Sequence, residues 1–122
     1  MSRAPDIDLA RINAELGHDA SALVAWALGL GKRAIVTTNF RPFEAVILHL
    51  VTRVQPNLPV VWMDNGYNTE ATYRYADEVT HLLGLNLKIY LPLRSRAHRE
   101  AVDAPTPAID APGHAAFTQE VK

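Results

Sequence analysis

Apolar side chains recur at helical spacing in some stretches of the chain and crowd into short unbroken runs in others, so that two rhythms alternate. Leu9, Ile12 and Leu16 lie three and four residues apart behind Asp6 and Asp8, which predicts a short helix that Gly17 ends in a left-handed conformation. A second predicted helix opens near Asp19 or Ser21, carries Leu23, Val24, Trp26, Ala27 and Leu28, and stops at Gly29 and Gly31. After an exposed turn at Lys32 and Arg33, residues 34–38 are short, β-branched and mostly apolar, the pattern of a buried parallel strand. Pro42 suits the first turn of the next helix, whose apolar face runs through Val46, Ile47, Leu50, Val51 and Val54. Pro59 opens a second strand over Val60, Val61, Trp62 and Met63, which ends on Asp64 and the turn signal Asn65-Gly66. From Thr69 a further helix carries Ala71, Tyr75, Val79, Leu82 and Leu83 to a stop at Gly84, and residues 85–91 read as a third strand.

The resulting order, β-α-β-α-β, predicts an α/β domain: a parallel sheet with helices on both faces and right-handed crossovers. Ligands of such sheets sit outside the carboxyl ends of the strands. One domain is expected, in three stretches: amino-terminal helices over 1–33, a nucleotide-binding core over 34–92, and a basic turn, Pro-rich loop and terminal helix over 93–122. In the last stretch Arg94, Arg96 and Arg99 form the one local basic cluster, and Pro105, Pro107 and Pro112 mark a loop.

Charge narrows the function classes. Twelve basic and 13 acidic side chains leave a net charge of −1, so no global positive field exists to hold nucleic acid or an anionic membrane, and any anion site is local. No apolar run approaches the roughly 20 residues of a membrane span, and the start lacks the features of a secretory signal, which together predict a cytoplasmic protein. Zero cysteines exclude disulfides, thiolate metal sites, iron–sulfur clusters and any cysteine nucleophile within these residues. His18, His49, His81, His98 and His114 show no metal-ligand spacing and read as structural or surface residues, so no metal site and no resident cofactor is expected.

Two turns concentrate the candidate chemistry. Thr37, Thr38, Asn39, Phe40 and Arg41 follow the first strand and lead into a helix, where hydroxyls, free backbone N–H groups and the helix dipole favour an anion. Asp64, Asn65, Gly66 and Tyr67 leave the second strand: a carboxylate for ribose, magnesium or an adenine edge, a glycine for close approach, and a ring to stack. Each group also has a plainer use. Thr and Asn cap helices, Asp and Asn form turns, and Tyr73 and Tyr75 on the following helix read as packing residues.

Read together, the blocks resemble the adenylyl-sulfate and 3′-phosphoadenylyl-sulfate reductases, which reduce activated sulfate to sulfite. The family's Ser-Ser-Ser-Phe-Gly loop and Ala-Val-Leu-Leu-His helix resemble Thr37-Thr38-Asn39-Phe40-Arg41 and Ala45-Val46-Ile47-Leu48-His49 here. Its Asp-Thr-Gly-Tyr and Glu-Thr-Tyr-Arg-Phe blocks resemble Asp64-Asn65-Gly66-Tyr67 and Ala71-Thr72-Tyr73-Arg74-Tyr75, and residues 83–90 match in type. The resemblance implies an adenine nucleotide α-hydrolase-like fold and adenylyl sulfate or 3′-phosphoadenylyl sulfate as ligand. It also implies thioredoxin or glutaredoxin as reductant, with the nine residues of the two turns binding the nucleotide.

Three departures temper the expectation: Arg41 replaces a glycine, Asn65 replaces a threonine, and the family's carboxyl-terminal cysteine, in a Glu-Cys-Gly motif, has no counterpart. The chain is therefore expected to be the nucleotide-binding half of a longer polypeptide that continues past Lys122, with no catalytic residue of its own and no activity alone. Open sheet edges leave room for a homo-oligomer. Two other readings use the same turns: an ATP pyrophosphatase or adenylyltransferase relative with Asp64 near magnesium, and a nucleotide-binding module without chemistry.

Overall fold

The computed structural model describes residues 6–121; residues 1–5 and Lys122 lie outside the described residues. The elements are α1 (Leu9–Leu16), α2 (Ala20–Leu28), β1 (Val36–Thr37), α3 (Glu44–Val54), β2 (Pro59–Met63), α4 (Glu70–Leu83), β3 (Asn86–Tyr90), α5 (Arg96–Val102) and α6 (His114–Val121). The three strands form one parallel sheet in the order β1-β2-β3, with Val36 opposite Val60 and Val60 opposite Leu87. The expected α/β order is observed.

Side-chain alternation along β2 decides where the core lies. Val60 and Trp62 are buried and meet Leu48 of α3 and Ala76 and Val79 of α4, so both crossover helices pack on the same face of the middle strand. Pro59, Val61 and Met63 point the other way, and Met63 is 71% exposed. At the carboxyl end of that second face, α6 brings Val121 into a cleft with Met63, Tyr90 and Leu91. Helices α1 and α2 begin on Asp8 and Asp19, whose carboxylates accept from the backbone N–H groups of Arg11 and Ala22, and α2 packs on α3. The best-punctuated helix is α4: Thr69 caps its start and Gly84, left-handed at φ 62°, ends it.

Three local expectations need correction. The first strand covers two residues rather than 34–38, and it is an edge strand with Ile35 exposed, because β2 is its single neighbour and supplies ladder bonds only around Val36, Thr37 and the N–H of Thr38. Gly17 is right-handed (φ −61°, ψ −14°) rather than left-handed; the chain turns into Asp19 through an N–H bond to Leu16, and a Cβ at Gly17 would lie 2.3 Å from the carbonyl oxygen of Asn13. Regular helix α3 starts at Glu44, two residues after Pro42, behind a tight turn in which the N–H of Glu44 donates to Arg41.

Candidate functional site

Both candidate turns sit at the carboxyl ends of neighbouring strands, but many of their donors and acceptors are already engaged. In the turn after β1 the side chain of Glu44 reaches back over the loop. Its Oε2 accepts from the Thr38 hydroxyl at 3.1 Å, the Asn39 N–H at 3.0 Å and the Arg41 N–H at 2.8 Å. The Phe40 N–H donates to Thr38 Oγ1 at 2.9 Å. Thr38 and Phe40 are buried, whereas Thr37, Asn39 and Arg41 are exposed. Phe40 holds φ at 54°, a left-handed conformation that costs a non-glycine residue about 1 kcal/mol or more. Its ring offsets that cost by packing edge-on against Trp62, centroids 5.0 Å apart. The reach of Glu44 back to Arg41 is half of a capping box, with Pro42 in the first-turn position and no hydroxyl residue at the cap.

The second turn is built around a buried carboxylate. Asp64 Oδ1 accepts from the Gly66 N–H at 2.9 Å, the Asn68 side-chain amide at 2.9 Å and the Tyr73 hydroxyl at 2.8 Å, while the Asp64 N–H donates to Tyr90. Three bonds to one oxygen compensate the burial of the charge. Gly66, at φ 85°, completes the turn where a side chain would be strained, and the Asn65 side chain accepts from the Tyr67 N–H at 2.9 Å. Burial first, then the bond to Asp64 and its negative charge, push the Tyr73 phenol above the usual tyrosine range.

Helix α4 ties the two turns to one support. Tyr73 holds the Asp64 turn, and Tyr75 donates to the Pro42 carbonyl at 3.1 Å in the segment leading to α3. Trp62 lies between Phe40 and Tyr73, so an unbroken row of rings joins the two loops beneath the surface. The space above is divided. A cleft of about 130 Å³ is lined by Thr37, Thr38, Asn39, Glu44, Val61 and Met63. Met63 also lines a second cleft of about 260 Å³ with Asp64, Asn65, Tyr90 and Leu91. The first has room for a single anionic group; a nucleotide needs the several hundred Å³ that the two offer side by side.

Tyr67 packs against the last helices: the Arg96 guanidinium lies 5.2 Å above its ring and the Phe117 ring meets it edge-on at 5.0 Å. The basic cluster is paired. Arg94 lies 3.3 Å from Asp103, Arg96 bonds Glu100 at 2.8 Å, and Arg99 bonds Glu120 of α6 at 2.6 Å. A hydrogen bond from Thr106, then Arg96, hold the Glu100 carboxyl below its usual range. The Arg41 guanidinium, by contrast, has no carboxylate partner among the described residues. No cluster of three or more His, Asp or Glu side chains suited to a metal occurs among the described residues, and no described helix is long and apolar enough to cross a membrane.

Sequence reasoning missed three participants: Glu44, Asn68 and the polar role of Tyr73. For Glu44 a signal existed, since a proline followed two residues later by a glutamate marks a first helical turn whose acid folds back. Nothing local announces the reach of Tyr73 across nine residues to Asp64.

The Phosphoadenosine phosphosulfate reductase domain family matches residues 33–108, the stretch that holds both turns, the sheet and α5. Curated relatives named Phosphoadenosine 5′-phosphosulfate reductase are similar over most of the chain. The relative from a Synechococcus strain is 44% identical over 96 residues, 77% of this chain and 41% of the relative. That from Xanthomonas euvesicatoria pv. vesicatoria is 47% identical over 77% of this chain and 40% of the relative. That from Xanthomonas campestris pv. campestris is 46% identical over 101 residues, 80% of this chain and 42% of the relative. The chain thus spans about two-fifths of the length of the curated relatives it matches. A three-stranded parallel sheet with two engaged turns at its carboxyl ends, matched in sequence across its whole length, identifies the chain as a member of the phosphoadenosine phosphosulfate reductase domain family, with that family's adenine nucleotide α-hydrolase-like fold.

Proposed function

We propose that this chain is the nucleotide-binding half of a sulfonucleotide reductase in sulfate assimilation. It holds adenylyl sulfate or 3′-phosphoadenylyl sulfate while a thiol from outside these residues attacks the sulfur and displaces AMP or its 3′-phosphate, after which a second thiol releases sulfite as the two thiol sulfurs join in a disulfide. With no cysteine in the chain, the reducing thiols come from elsewhere, in line with the thioredoxin or glutaredoxin that the family resemblance implies. A cytoplasmic setting belongs to the same reading.

The observation that carries the proposal is the pair of clefts sharing Met63 at the carboxyl ends of β1 and β2. One is lined by a loop of hydroxyl and N–H donors, the complement of a phosphate or sulfate. The other is lined by Asp64, whose side-chain bonds all fall on Oδ1, which leaves Oδ2 to accept from other partners, such as ribose hydroxyls or the adenine amine. Thr37, Thr38, Asn39, Phe40 and Arg41 form the anion side of this reading, and Asp64, Asn65 and Gly66 the nucleoside side. Tyr67 supports the turn from beneath through Arg96 and Phe117.

Calorimetric titration tests it. Adenylyl sulfate or its 3′-phosphate should bind more tightly than guanine nucleotides, and Thr38→Ala and Asp64→Ala should each weaken binding by about 1–3 kcal/mol with circular dichroism unchanged. Equal weak heats for adenine and guanine ligands would end the proposal.

A further inference from the structure

We infer that Glu44 is the specificity-determining residue of the anion loop: its carboxylate occupies the seat that a ligand's sulfate or phosphate takes, and binding displaces it. The inference rests on the nucleotide-binding reading of the site. Every backbone N–H over residues 38–41 has a partner: Thr38 donates to Val61, Phe40 to Thr38 Oγ1, and Asn39 and Arg41 to Glu44. The Thr38 hydroxyl is also spent on Glu44. Within this loop Glu44 Oε2 is the common acceptor of three donors, the arrangement that a tetrahedral oxyanion uses. A ligand anion and the carboxylate cannot both have them, and two negative groups in hydrogen-bond proximity repel.

The rest of the loop is built to outlast the exchange. Thr38 and Phe40 are 4% and 3% exposed, and the Phe40 ring is locked against Trp62, so the donors keep their direction when the acceptor changes. Glu44 is only half-buried, and its own N–H stays on the Arg41 carbonyl, so the side chain can rotate outward without unwinding α3. Glu44 lines the 130 Å³ cleft together with Met63. A sulfate or phosphate presents three oxygens to three donors where Glu44 presents one, which makes the exchange favourable for tetrahedral oxyanions and unfavourable for a simple carboxylate.

Glu44→Gln keeps an oxygen acceptor for the loop and removes the charge; Glu44→Ala removes both and guards against a result peculiar to glutamine. Both are made in the full chain and checked by thermal melting. The probes are adenylyl sulfate and inorganic sulfate, read by calorimetry and by the amide resonances of Asn39 and Arg41. Glu44→Gln should bind adenylyl sulfate about tenfold tighter than the unaltered chain, the worth of one charge-assisted contact no longer contested. In the unaltered chain the side-chain carboxyl resonance of Glu44 should move on saturation with adenylyl sulfate. If adenylyl sulfate binds but neither variant binds it more tightly and the Glu44 resonance stays in place, Glu44 is a helix cap alone; the inference falls and the nucleotide reading survives. If sulfate moves the Asn39 and Arg41 amides more readily in Glu44→Gln while adenylyl sulfate gains nothing over sulfate, the inference stands and the nucleotide reading fails. Absence of any binding by either form overturns both.

Discussion

The hydroxyl of Tyr73 donates to Asp64 Oδ1 at 2.8 Å, the same oxygen that receives the Gly66 N–H and the Asn68 amide. The tyrosine therefore completes the solvation of a buried charge. Tyr73→Phe leaves the ring against Trp62 but withdraws that donor, and should destabilise the fold by about 1–2 kcal/mol in urea unfolding. A midpoint equal to that of the unaltered chain would mean that water replaces the hydroxyl at no cost.

The same contact has an alkaline signature. Burial and the Asp64 carboxylate hold the Tyr73 phenol above the ordinary tyrosine value of about 10. The folded value exceeds the unfolded one, so the contribution of the neutral phenol is complete below the unfolded value and is lost as pH rises through the folded value. Phenolate absorbance should contain a component later than free tyrosine that Tyr73→Phe removes. An unchanged titration curve in the variant would assign that component elsewhere.

Gly66 separates backbone strain from crowding. Its φ of 85° disfavours any side chain, yet an added Cβ would find no atom nearer than 3.8 Å, from Arg96. Gly66→Ala should thus cost about 1 kcal/mol from conformation alone, and Gly66→Asn less, because asparagine tolerates the left-handed region. Equal losses in both variants, read by thermal melting, would point to crowding after all.

Packing and surface charge should differ sharply in weight. Leu48, 1% exposed between β2 and the helices, should lose about 2–5 kcal/mol as Leu48→Ala, a large part of the roughly 5–15 kcal/mol that holds a small domain together. Glu120→Gln breaks an ion pair whose acid is 65% exposed and should leave the unfolding midpoint unmoved. A drop on the scale of the leucine variant would show that α6 depends on that pair rather than on Phe117 against Tyr67.

Where local chemistry controls an element, the sequence is readable. Thr69 and Gly84 bracket α4 because a hydroxyl cap and a left-handed stop act within one turn of chain, and Val60 and Trp62 face the core because a strand alternates. β1 is poorly readable since its length depends on β2, a partner more than 20 residues away. Thr38, Asn39, Asp64 and Gly66 stand out by residue type and place, but their present partners do not. Glu44 matters because Phe40 bends left-handed beneath it, and Arg99 is neutralised by Glu120, 21 residues on. Such pairings are properties of the folded surface and leave no periodic trace.

Tyr73 and Tyr75 stand two positions apart on α4 and bind, respectively, Asp64 and the carbonyl of Pro42. One helix thereby acts as a crossbar between the two walls of the candidate site. The gap that a ligand must bridge is gauged by a length of hydrogen-bonded helix instead of by two independent loops. The two walls are thereby coupled through one helix, so a change at either hydrogen bond is felt at the other wall through α4.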